Sequence, residues 1–134
     1  MDKLLEARLE KLEQGLQIST KGRSVPFYAN VAPLDIVEVT DYCPVEGRIR
    51  QITISWPDGC NFMVLVAFGR EHSGWLVPAE YNTFERNNDA SISYPLDEPV
   101  SKRERLWLII KNGDSVNSHQ ISATVTVVEV PSLE

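Results

Sequence analysis

Hydrophobic and polar positions follow two different rhythms along this chain. Leu5, Leu9, Leu12 and Leu16 recur at four-three-four spacing, the stripe of an α-helix that needs an apolar partner. From about Leu34 onward, apolar residues alternate with polar ones or run in short blocks, as strands do. Residues 2–17 are rich in Leu, Glu, Lys, Arg and Ala and hold no proline or β-branched residue, which predicts a short helix. With Leu5 and Leu12 at d positions, Leu9 and Leu16 fall at a. Arg8 then sits at g and Glu13 at the following e, the geometry of an ion pair between parallel helices. Such a short helix is marginal alone in water, and Gly15 weakens its last turn by about 1 kcal/mol relative to alanine. It must pack on copies of itself, as an oligomerisation zipper, or dock on its own domain.

Residues 18–33 connect the two regimes. Gly22, Pro26 and Pro33 break regular structure, yet Val25, Phe27, Tyr28 and Val31 are too apolar for a free linker. A connecting arm laid along a neighbouring surface explains both facts, and so does an irregular edge strand. Residues 34–134 then read as a β-sandwich domain. Strands are expected over residues 34–40, 47–56, 62–68, 75–77, 90–96, 105–111 and 121–130, with turns at Pro44, at Asp58-Gly59 and at Asn112-Gly113. The three-residue step from Ile49 to Ile52 predicts a bulge. Residues 62–68 are apolar on both faces, Phe62, Val64, Val66 and Phe68 on one, Met63, Leu65 and Ala67 on the other. Residues 105–111 are two-faced as well, and the excess apolar face calls for a cover that a symmetric partner would supply. About seven or eight short strands make the expected fold all-β, an antiparallel β-sandwich or jelly roll behind a short N-terminal helix.

Charge narrows the function. A net charge of -6 argues against general nucleic-acid binding, because no broad basic surface releases counterions from phosphates. The small basic runs at residues 21–23 and 102–105 read as solvated loop faces. The N-terminus has no apolar core of the length a signal peptide needs, and the longest apolar block, residues 62–68, is far too short to cross a bilayer. Synthesis in the cytoplasm and no membrane partner are the expectations. Cys43 and Cys60 lie at opposite ends of one expected strand, about 30 Å apart, and read as free thiols.

Candidate chemistry is sparse. His72 and His119 fall in expected loops, and an enzyme would need one of them to meet a carboxylate in a cleft. No catalytic, metal or cofactor motif occurs, so the expectation is no enzyme and no cofactor. Asn87-Asn88-Asp89, Asp97-Glu98 and Asn112-Gly113-Asp114 carry calcium-type oxygen ligands, but turns require the same residues for backbone reasons. Trp75, Tyr81 and Phe84 lie among His72, Glu80, Asn82, Arg86 and Asn87, a composition suited to a carbohydrate surface or to the packing of a long loop.

The strand pattern, the arm over residues 25–33 and the zipper of Leu5, Leu9, Leu12 and Leu16 together resemble small β-sandwich or jelly-roll proteins of virus particles, including phage head-decoration proteins. That resemblance implies a homotrimer seated on a larger assembly such as a capsid shell, and incorporation in a virion. The expected function is a non-enzymatic structural or interaction protein. A carbohydrate-binding module using Trp75, Tyr81 and Phe84 is the alternative.

Overall fold

The computed structural model describes residues 22–130. The expected helix over residues 2–17, with the zipper positions Leu5, Arg8, Leu9, Leu12, Glu13 and Leu16, lies outside the described residues. Among the described residues the strands in chain order are β1 (Gly22–Val31), β2 (Ile36–Tyr42), β3 (Gly47–Trp56), β4 (Val64–Arg70), β5 (Gly74–Val77), β6 (Glu85–Arg86), β7 (Ala90–Val100), β8 (Arg105–Asn112) and β9 (His119–Glu129). Every ladder is antiparallel. One sheet has the order β1-β9-β3-β7 and the other β2-β8-β4-β5, with β6 also paired to β4. The all-β sandwich that the alternation predicts is the fold.

The alternation of β9 shows why. Ile121, Ala123, Val125 and Val127 are buried, while Ser122 and Thr124 face out. In β3 the register slips between Ile49 and Gln51 in both of its ladders. This bulge lets Ile49 and Ile52 point into the same core despite their odd spacing, as the sequence predicts. These residues meet Val64, Val66, Phe68, Leu106, Leu108 and Ile110 from the opposite sheet. Phe27 and Phe68 join the layers edge to face at 6.3 Å between ring centroids. Trp56 joins them again by donating its indole N–H to the Val64 carbonyl at 3.0 Å.

Three of the four edge strands carry features that oppose an added strand. β1 carries Pro26 and β7 carries Pro95 and Pro99, which lack the N–H that an added strand would need. On β2 the carboxylates of Asp35 and Asp41 accept the N–H groups of Ile36 and Tyr42. Those two donors are already spent.

Four expectations need correction. Of the two forms expected for this segment, an arm or an edge strand, it takes the second: Gly22–Val31 pairs with β9 along its whole length, from Gly22 with Val128 to Val31 with His119, so the sandwich starts there and not at residue 34. Leu34 precedes β2 in a turn with φ 59°, because Asp35 begins the ladder by giving its carbonyl to the N–H of Asn112. Phe62 and Met63 precede β4 for a similar reason: Asn61 and Phe62 adopt left-handed backbone that ends the turn, and pairing starts only at Val64. Part of the outer face of β4 and β8 finds cover within the chain, where Trp75 packs on Trp107. Both cysteines are free and buried, as expected, at opposite ends of β3.

Candidate functional site

Strand directions divide the connections between two poles. The basal pole holds Gly22, residues 43–46, 71–73 and 101–104, and the end of β9. The apical pole holds residues 32–35, 57–63, 87–89 and 113–118.

At the basal pole, Glu104 is buried at the centre of the basic run that the sequence suggested was a solvated face. Its two oxygens take the Arg70 guanidinium in a fork, at 2.7 Å from Nε and 3.2 Å from Nη2. They also accept the backbone N–H groups of Ser101 and His72. Burial works to raise the Glu104 pKa, but the Arg70 hydrogen bond and the two backbone donors outweigh it, and the carboxyl is held below its ordinary value. Arg70 also donates to Ser73 at 2.7 Å. The pair clamps β4, the β4–β5 turn and the β7–β8 loop together, so His72 contributes its backbone here rather than its ring.

The expected aromatic residues do come together. Trp75 contacts Tyr81 at 5.2 Å and Phe84 at 5.7 Å, both edge to face. Trp107 joins the cluster from the outer face of β8 at 4.8 Å from Trp75. The cluster exists because Gly69 stands between the two tryptophans in the pairing register, where a Cβ would collide with the Trp107 ring. Trp75 gives its N–H to the Thr83 carbonyl at 2.9 Å, and the Lys111 ammonium sits 4.4 Å above the Phe84 ring. Tyr81, 81% exposed, is the ring most open to solvent.

The apical pole is built around Asn112. Its side-chain amide donates to the carbonyls of Val31, Ala32 and Asn117, and its oxygen accepts the Asp114 N–H. Asp114 in turn accepts Val116 and Asn117 N–H groups and meets His119 Nε2 at 2.9 Å. The Val116 N–H, then His119, hold the Asp114 pKa down at about 2 against the opposing effect of burial. His119 therefore meets a carboxylate, but the pair is buried and braces the β8–β9 loop. Asn88 accepts Gly59 and Asn61 N–H groups, while Asp97 pairs with Arg48 at 2.7 Å and Arg50 at 2.9 Å. Asn88, Asp97, Asn112 and Asp114, among the oxygen ligands weighed for calcium, are thus occupied in turns and ion pairs, and among the described residues no group of three or more His, Cys, Asp or Glu is placed to hold a metal.

Around this scaffold stand Leu34, Ile36, Phe62, Met63 and Val116, all exposed. Backbone hydrogen bonds tie their loops together: Leu34 N–H to Asp114 O at 3.1 Å, Gly113 N–H to Met63 O at 2.9 Å, Phe62 N–H to Asn87 O at 3.3 Å. Sequence reading missed this group because it placed Leu34 and Phe62 within strands. A shallow depression of about 400 Å³ lies beside the cap on the outer face of the first sheet, lined by Tyr28, Ser55, Ser91, Gln120 and Ser122 among others.

Both buried carboxylates sit below their ordinary pKa values, so each contributes stability that is complete above 4.5 for Glu104 and 3.8 for Asp114 and is lost as pH falls through the folded-state value. Thermal melts followed by circular dichroism from about pH 6 to about pH 2 should show a flat midpoint that falls in the acid range and keeps falling toward pH 2. In Asp114→Asn the lowest part of that fall should disappear.

No protein-family model and no curated protein matches the chain. Solved structures do. The Yersinia pseudotuberculosis-derived mitogen is similar with a TM-score of 0.51 and 13% identity, over 85% of this chain and 93% of that one. A chain from the structure of tomato aspermy virus is similar with a TM-score of 0.51 and 11% identity, over 98% of each chain. Identities this low establish a shared β-sandwich fold and nothing finer.

Proposed function

We propose that the chain is a non-enzymatic structural and interaction protein. In this reading it is a homo-oligomer, trimer first, whose N-terminal helices bundle below the basal pole while the sandwiches present their apical caps to a larger assembly such as a viral capsid shell. The observation that carries it is the polarity of the domain: the N-terminal segment enters at Gly22, and five of the nine large exposed hydrophobic side chains of the described residues, Leu34, Ile36, Phe62, Met63 and Val116, gather at the other end of β1. A parallel bundle would point every cap the same way, and several caps on one target bind with avidity. The strand order, β1 beside β9 and β2 beside β8, supports reading the sandwich as a jelly roll, an architecture used by viral capsid proteins among others. The likeness to tomato aspermy virus supports the virion reading at the level of fold. Placement in a virion after synthesis in the cytoplasm, with no nucleic-acid or membrane partner, belongs to the same proposal.

Light scattering at two concentrations tests it. Full-length protein should have a trimer's mass, and a chain starting at Ile18, or the Leu9→Glu, Leu12→Glu double variant, should have a monomer's. An unchanged mass on substitution removes the zipper from the account, and a full-length monomer removes the oligomer. The carbohydrate reading stands second. It takes support from the Trp75, Tyr81 and Phe84 cluster, but those rings pack edge to face on each other and leave Tyr81 as the chief open stacking surface.

A further inference from the structure

The apical cap holds bulky side chains in a costly position for no internal gain. Leu34 and Phe62 sit at φ 59° and 63°, a left-handed backbone that is strained for a non-glycine residue. Their side chains bury little in return, being 67% and 55% exposed. The Asn112, Asp114 and Asn88 hydrogen bonds hold both loops in that conformation, so the backbone that carries these side chains is set before any partner arrives. A preorganised apolar surface loses little entropy on binding. The four apical loops also contain Asp35, Asp58, Asp89 and Asp114 and no lysine or arginine. Asp114 is buried with His119, so Asp35, Asp58 and Asp89 form the rim.

We propose that the cap docks on a protein surface whose apolar groove is flanked by lysine or arginine side chains. This rests on the interaction reading above and adds the chemistry of the partner. Leu34, Phe62, Met63 and Val116 fill the groove, and the rim aspartates meet the flanking cations. The acidic rim disfavours an anionic membrane or nucleic acid as the occupant. Gly22, to which residues 1–21 are joined, lies at the opposite pole, about 33 Å away along the ten residues of β1.

Three labelled peptides of one length serve as probes, each with leucine and phenylalanine anchors and with flanks of lysine, serine or glutamate. Fluorescence anisotropy with the full chain should show saturable binding of the lysine-flanked peptide, at least about tenfold tighter than the glutamate-flanked one and weaker in high salt. The Leu34→Gly, Phe62→Gly double variant should lose at least about tenfold in that affinity. Its melting temperature should hold or rise, because glycine accepts a positive φ without strain. Asp35→Asn, Asp58→Asn and Asp89→Asn together should erase the preference for lysine flanks. Absence of saturable binding, or binding indifferent to the glycine pair, overturns the proposal. The solution mass of the same sample separates this from the function above: an oligomer that binds no probe removes the cap chemistry alone, and a monomer that binds removes the oligomer alone.

Discussion

Glu104→Ala is expected to destabilise the fold by about 3–5 kcal/mol, a large share of what a domain of this size possesses. The reason is the group left behind. Arg70 has a side chain only 9% exposed and forks onto a carboxylate that is wholly buried. Removing the carboxylate strands a guanidinium with Ser73 as its one hydrogen-bonding neighbour and with Glu98 as a distant charge at 3.8 Å. It also strips acceptors from the Ser101 and His72 N–H groups, which would leave the β7–β8 and β4–β5 connections loose together. Urea unfolding should show the loss as a lower midpoint at unchanged slope. Arg70→Met combined with Glu104→Leu should recover most of it, because exchanging both partners for apolar groups abolishes the charge that had to be desolvated. A loss below about 1 kcal/mol for Glu104→Ala would mean that water reaches Arg70 and that the clamp is a surface pair.

The legible and illegible parts of this fold differ in what fixes them. Where a strand has one buried face, period-two alternation carries the information, so β3, β8 and β9 and even the bulge after Ile49 could be read from spacing. The start of β2 and of β4 could not, because apolar residues continue past the point where pairing stops. Leu34 and Phe62 look like core by composition and are placed outside it by backbone conformation alone. The same distinction governs the sites. Trp75, Tyr81 and Phe84 are near in sequence and could be grouped on sight, whereas Trp107 reaches them only through the Gly69 pairings. Arg70 and Glu104 are 34 residues apart, and nothing in a charged loop announces that one of its carboxylates will be interior. Local pattern therefore reports secondary structure, and the docking surface has to be read from the ends of the strands.

Trp56→Ala is expected to cost about 3–5 kcal/mol as well, through loss of contact rather than loss of pairing. Trp56 ends β3 with 1% of its surface exposed and is among the largest fully buried side chains of the described residues. Its ring lies in the core between the sheets, and its N–H reaches the Val64 carbonyl of the opposite sheet at the point where β4 begins. Alanine would leave a cavity and an acceptor with one donor fewer. Phenylalanine would fill most of the cavity while still losing the hydrogen bond, so Trp56→Phe should cost about 1–2 kcal/mol. The difference between the two variants in urea unfolding then measures packing against bonding at one position. The consequence should also be local. Residues 57–63 leave directly from Trp56 and return to Val64, so the indole fastens both ends of the loop that holds Phe62 outward. Hydrogen exchange at the Gly59 and Asn61 amides, which Asn88 accepts, should speed up in Trp56→Ala more than exchange in the β9 ladder does. Equal acceleration in both would show that Trp56 serves global stability alone. Selective acceleration at the loop would tie the interior of the sandwich to the surface it presents, because the cap keeps its preorganised shape only while its two roots are held.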